Sequence, residues 1–282
     1  MLGRRLDYLI LRSISHDLNR ATEEELNVKA TGRKPLSRDE AAAKLRTHID
    51  RFEGRFPLSP DLRYLDMGCG TGELTAALAR LGCRNVTGID MVRRQIDAAR
   101  AYALQEGMDG AVEFVCADLN TWQAPQQYDV LLSFDAFEHI DDPKGFLLRM
   151  AALAPPGGRA VLGFGPLFYS PNGDHMSEFF RVKVPWRGVL FNGQALLRVR
   201  RECYRPTDSA TRLQDIVGGL NKMRYSDFCR YVREAGWEFD YLRLNARLRG
   251  KPVIGAVSGF LTQLPILSDY FVFSVYAILR RQ

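Results

Sequence analysis

From Arg63 onward, short apolar runs alternate with amphipathic stretches along the chain: RYLDMG, GELTAALARLG, NVTGID, MVRRQIDAARAYALQEG, VEFVCAD, YDVLLSF, PKGFLLRMAAL and RAVLGFG. Runs of four to six apolar residues between turn residues read as buried strands, and the longer periodic stretches read as helices packed on them. Leu74, Leu78 and Leu81 are expected on one helical face stopped by Gly82, and Val92, Ile96, Ala99 and Ala103 on the next. This alternation predicts an α/β fold with a doubly wound, seven-stranded, mostly parallel sheet. After Gly165 the period is lost through Asn221, in a segment rich in aromatics, Arg, Pro and Gly. It returns as a helix over Ser226–Ala235, a strand over Trp237–Leu244 and a last strand over Tyr270–Leu279.

Four regions follow from this pattern. Residues 1–60 are polar, with helical signals at Ala21–Glu25 and at Ser37–Arg51, where Ser37 and Glu40 are spaced as a capping box; they read as an N-terminal helical extension or lid. Residues 61–165 are the core of the sheet, 166–223 an insertion after the fifth strand that caps the substrate side, and 224–282 the end of the sheet.

Composition changes the picture little. At 282 residues, 46% hydrophobic and 26% charged, the chain matches an ordinary globular protein and excludes disordered and collagen-like classes. Five cysteines without a Cys-x-x-Cys pair argue against a disulfide framework or a structural zinc, and fit a reducing cytoplasm. Asp7 and Arg12 interrupt the apolar residues at the N-terminus, so no targeting signal is read. The stretch Pro252–Leu267 falls short of the roughly 20 apolar residues of a membrane span, which leaves at most a peripheral membrane contact. The net charge of +6 is unevenly placed: residues 181–250 hold fifteen Lys and Arg against seven Asp and Glu. That segment suits an anionic acceptor, an acidic membrane face or a plainly solvated surface.

The chemistry sits at the strand ends. Leu65-Asp66-Met67-Gly68-Cys69-Gly70-Thr71-Gly72 places three glycines between a strand and a helix, a turn that lets backbone N–H groups approach a ligand. Glu73 stands where a dinucleotide fingerprint wants Gly or Ala, and the Gly-Lys-Ser/Thr of a P-loop is missing. Asp90 closes the second strand eighteen residues after Gly72, and Asp118 closes the third. One acid at each strand end suits the ribose hydroxyls and the exocyclic amine of an adenosine.

These motifs, with Y-D-V-x-x-S-F-D-A-F-E-H-I and P-P-G-G, resemble class I S-adenosylmethionine-dependent methyltransferases, in particular the small-molecule branch that includes ubiquinone-biosynthesis O-methyltransferases. The resemblance implies S-adenosyl-L-methionine as cofactor and S-adenosyl-L-homocysteine as product. It implies Asp66, Gly68, Gly70 and Gly72 at the methionine part, Asp90 at the ribose, Met91 against the adenine face, Asp118 and Leu119 at its edge, and Phe134 and Asp135 near the sulfonium.

Transfer to a hydroxyl needs alignment and a base. His139, just past the fourth strand, and His175, in the Asn-Gly turn of the insertion, are the two candidates, while His16 and His48 lie in the polar N-terminal part. Tyr169, Asp174, Phe179 and Trp186 are expected around the acceptor. A divalent metal held by Asp135, Glu138 and His139 is a disfavoured alternative. The expected activity is O-methylation of a hydroxyl on a small, sugar-linked or lipid-linked metabolite. An RNA methyltransferase using the basic 181–250 face, with nucleic acid the disfavoured partner, and a non-catalytic cofactor-binding protein are the alternatives. Oligomeric state is left open.

Overall fold

The order in which strands lie across the sheet decides where a ligand can sit. In the computed structural model, which describes residues 2–16, 36–108, 110–176, 179–204, 209–216, 220–245 and 252–282, seven strands form one sheet. They are β1 (Arg63–Met67), β2 (Asn85–Asp90), β3 (Val112–Cys116), β4 (Val130–Phe134), β5 (Arg159–Phe164), β6 (Trp237–Leu244) and β7 (Val275–Arg281), in the spatial order β3-β2-β1-β4-β5-β7-β6. β1 through β5 pair in parallel, and β7 runs antiparallel to both β5 and β6. The order reverses between β1 and β4, and their carboxyl ends open the crevice where such sheets take ligands.

The central strands are apolar throughout because both faces are covered. β4 is buried along its whole length. Its side chains divide by pleat, Val130, Leu132 and Phe134 to one core and Leu131 to the other. The first core is closed by α2 (Arg38–Asp50) and α3 (Glu73–Arg80), the second by α5 (Pro143–Leu153) and α8 (Tyr225–Glu234). α4 (Arg93–Gln105) packs Ile96, Ala99 and Ala103 on Phe114 of β3. Ser37 caps α2 through the reciprocal bonds with Glu40 that its spacing announced.

Several expectations on element detail are corrected. α3 has eight residues and ends before Leu81, which is exposed, so its inward face is Thr75, Ala76, Ala77 and Leu78. Val92 is the N-cap of α4 and also exposed. Tyr270 and Phe271 close a helix, α10 (Pro265–Phe271), because Pro265 at its first turn presets helical backbone, and the last strand starts only at Val275. The apolar stretch before it is helix α9 (Pro252–Leu261). The signal at Ala21–Glu25 lies outside the described residues. Among the described residues no helix is long and apolar enough to cross a membrane.

The insertion holds α6 (Arg187–Leu190) and α7 (Gly193–Cys203) around a core of its own, with Leu196, Leu197, Val199, Phe180 and Tyr204 at its centre. The N-terminal region is divided between the two bodies of structure. Its first helix, α1 (Leu2–Ile14), unread in the sequence, places buried Leu11 in the cap core, and Ser15 bridges Phe180, whereas α2 lies against the sheet.

Candidate active site

β1 ends at Met67 and the chain turns through Gly68, Gly70 and Gly72 at φ of 80°, 54° and 77°, backbone that side chains resist. The N–H groups of Gly68 and Cys69 donate to Ile89 O at 2.9 and 3.1 Å, tying the turn to the end of β2. The glycines differ in what requires them. A Cβ on Gly72 would lie 2.6 Å from Phe114 and 2.7 Å from Ala99, whereas one on Gly70 would meet nothing within 4 Å. Gly72 is needed for packing, and Gly70 opens onto free space.

That space is a cleft of about 430 Å³. One wall is the turn with Leu36, Lys44, Asp66, Glu73 and Leu74; the other is Phe134, Asp135, Glu138, His139, Gly165, Pro166 and His175. Of the expected cofactor residues, Asp66, Gly68, Gly70, Phe134 and Asp135 line it. Gly72 is buried behind the turn, and Asp90, Met91, Asp118 and Leu119 stand outside the lining, at the ends of β2 and β3. Asp90 Oδ2 accepts from Gly70 N at 3.1 Å and Oδ1 from Val92 N at 2.9 Å. Met91 is 71% exposed, Asp118 accepts from Asn120 N at 2.9 Å, and Leu119 O accepts from Arg149 Nε at 2.7 Å.

Asp66 is buried, and Thr75 Oγ1 donates to its Oδ2 at 2.6 Å. Burial pushes its carboxyl up to about 6, against the pull of the Thr75 bond and the Lys44 charge. At the end of β4, Asp135 adopts a φ of 51° and places Oδ2 3.4 Å from Lys44 Nζ and 3.6 Å from His48 Nε2. His48 is itself buried and lies with its ring 4.5 Å from that of Phe134. Sequence reasoning set His48 aside with a polar extension. The signal that finds it is the i, i+4, i+7 recurrence of Ala41, Leu45 and His48, which is the buried stripe of α2.

The far wall brings the two expected bases together. His139 and His175 lie edge to face with ring centroids 5.3 Å apart. His175, at a φ of 53°, has Nε2 3.0 Å from Pro166 O. A carbonyl only accepts, so Nε2 carries the hydrogen of this bond. Between them and the turn, Glu138 accepts from Gly165 N at 3.1 Å through Oε1, while Oε2 has no hydrogen-bond partner among the described residues. Burial raises its carboxyl above the ordinary range, partly countered by His139.

The four expected acceptor residues are placed inside the cap, off the cleft lining. Tyr169 lies edge-on to Phe168 and Tyr270 under the Arg224 guanidinium, Phe179 stacks on Tyr204 at 4.3 Å, and Trp186 Nε1 donates to Tyr270 O at 3.0 Å. Asp174 is 1% exposed and takes Arg187 bidentately at 2.7 and 2.8 Å, with Phe180 under the guanidinium at 4.1 Å. The basic surplus of the segment goes largely the same way. Arg198 pairs with Glu202, Arg212 with Asp215 and Arg230 with Asp227, Arg200 is buried over Phe179, and Arg181 donates to Ser15 O. Among the described residues no group of three or more His, Cys, Asp or Glu is placed to hold a metal ion, and Asp135 lies against Lys44 and His48.

With this geometry in place, similarity to known proteins becomes specific. Residues 65–158 match the methyltransferase domain family. The chain is 40% identical over 100 residues to the ubiquinone biosynthesis O-methyltransferase of Aeromonas salmonicida, covering 36% of this chain and 42% of that protein. It is 33% identical over 153 residues to the 27-O-demethylrifamycin SV methyltransferase of Amycolatopsis mediterranei, covering 54% and 55%. The match thus spans about two fifths to just over half of the length of these curated relatives. The solved S-adenosylmethionine-dependent methyltransferase of Mesorhizobium loti superposes with a TM-score of 0.53 over 87% of this chain and 100% of that one, at 19% identity. Residues 65–158 are therefore similar to a methyltransferase domain, and the chain carrying them has the fold of solved S-adenosylmethionine-dependent methyltransferases.

Proposed function

We propose that the chain is an S-adenosylmethionine-dependent methyltransferase acting on a hydroxyl of a small, sugar-linked or lipid-linked acceptor, with S-adenosylhomocysteine as the other product. One observation carries the reading: a single cleft has the open glycine turn and buried Asp66 on one wall and the His139–His175 pair on the other. The residues fit the cofactor. Gly70 leaves room for close backbone approach, and Asp66 offers a carboxylate for an ammonium group. Each oxygen of Asp90 already accepts one N–H and keeps a second lone pair, enough for two ribose hydroxyls. Met91, Asp118 and Leu119 would border the adenine, and Phe134 with Asp135 the sulfonium.

When bound, the cofactor supplies a methyl group on a positively charged sulfur. The protein's part is to hold the acceptor oxygen in line and to receive its proton. His139 or His175 serves as that base, because a neutral imidazole ring nitrogen has a lone pair to take the hydroxyl proton. RNA is the poorer acceptor, because Arg187, Arg198 and Arg212 of the cap are paired with acids within it.

Calorimetric titration with S-adenosylhomocysteine tests the cofactor half. Wild type is expected to bind and Asp90→Ala to lose binding; unaltered affinity rejects the ribose assignment. With methyl-labelled cofactor and a panel of phenolic and sugar hydroxyls, His139→Ala or His175→Ala is expected to lose about a hundredfold or more in turnover. If both variants keep full turnover, neither histidine is the base.

A further inference from the structure

Both stems of the cap insertion end on the same three-residue turn. The turn, Phe137–His139, is a single 3-10 helical step after β4, and its own backbone gives it little hold beyond His139 N to Ala136 O at 2.9 Å and Ile140 N to Phe137 O at 3.3 Å. At the start of the insertion, Gly165 N donates to Glu138 Oε1 at 3.1 Å. At its end, Asn221 makes two bonds to the turn and one to the residue after it: its N–H donates to Glu138 O at 3.0 Å, and its Nδ2 donates to Phe137 O at 2.8 Å and to Ile140 O at 2.9 Å. Its Oδ1 accepts from Met223 N at 3.3 Å, which fixes the amide so that both Nδ2 hydrogens face the turn.

We propose that Asn221 is a positioning residue that holds the Phe137–His139 turn so that His139 stays edge to face with His175 on the far wall of the cleft. It acts through the backbone carbonyls of Phe137 and Glu138 before His139 and of Ile140 after it. Ile140 O lies past a turn too short to give it a helix partner, and Phe137 O has only the long 3.3 Å bond from Ile140 N, so an amide with two donors in fixed geometry suits the place, and a hydroxyl or a carboxylate does not. Because a displacement of about 1 Å at a reacting group costs about a hundredfold in rate, the hold matters well beyond its own bond energies. The inference rests on the proposed function only in taking His139 as the acceptor-side group.

Four histidines make the test selective, because the imidazole Cε1–Hε1 region of the carbon–proton spectrum has only four signals to assign. Asn221→Ala, and Asn221→Asp as a same-shaped variant lacking both amide donors, are compared with wild type in full-length protein without ligand. The signals of His139 and His175, which sense each other's ring, are expected to move in either variant, while those of His16 and His48 hold. S-adenosylhomocysteine affinity is expected to stay within about twofold, since Asn221 stands off the cofactor wall. Unmoved signals of His139 and His175 overturn the proposal, and so does a shift of all four together, which marks a general loosening. Should Asn221→Ala fail to fold, Asn221→Asp is read by the same rule. Failure of wild type to bind S-adenosylhomocysteine would count against the proposed function and leave the histidine signals to decide this inference.

Discussion

At the scale of single residues, Asp66 is the clearest conflict between stability and site. Its carboxyl is buried at the floor of the cleft and pushed up to about 6. An unfolded chain releases this proton near about pH 4, so between about pH 4 and pH 6 the folded state binds more protons, and stability falls as pH rises through that window and levels off above it. Asp66→Asn keeps an oxygen for Thr75 and removes the buried charge. We expect the variant to melt higher than wild type near neutral pH, by an amount equivalent to about 1–3 kcal/mol, and the difference to vanish near about pH 4. A difference that does not depend on pH would show that Asp66 is not the titrating group. A carboxylate kept where an amide is more stable is the mark of a residue retained for what it binds.

At the scale of elements, the cap depends on one buried ion pair. Asp174 and Arg187 are both almost inaccessible and satisfy each other bidentately. Removing one partner strands the other, so Asp174→Ala is expected to destabilise the cap by about 3–5 kcal/mol. The reading is hydrogen exchange, faster through α7 and unchanged in β4 and β5; equal protection of α7 in the variant would refute it. The same pair explains what could be read from sequence. β1 to β5 and the glycine turn were legible because strands covered on both faces are short continuous apolar runs between turn residues. Within the cap, Asp174, Phe179 and Trp186 carry the residue types of a binding pocket, and here Phe179 packs the small cap core, Asp174 holds Arg187 over Phe180, and Trp186 packs on Phe271 of α10. His48 was missed for the opposite reason. A histidine in a polar segment reads as solvated until the stripe it shares with Ala41 and Leu45 is counted.

For the whole molecule, the split N-terminal region matters most. α1 is bound to the cap through Leu11, through Tyr8 Oη to Glu202 at 2.6 Å and through Asn192 N to Asp7 at 2.8 Å, while α2 supplies Lys44 to the cleft wall. Removing residues 1–16 uncovers the cap core and leaves α2 in place. The shortened chain is expected to keep its affinity for S-adenosylhomocysteine, to expose apolar surface to a hydrophobic dye and to lose protection in α7 alone. Loss of cofactor affinity in step with cap protection would mean that the two halves are not separable.

The attachment of the cap at Gly165 and Asn221 has a consequence for how such a protein can diversify. Everything between these two residues is a cassette fixed at two neighbouring posts on one turn. A graft of different length and sequence that kept both posts would meet the same glycine turn, the same Asp90 and the same His139, while His175 and the rest of the cassette's side of the cleft were rewritten.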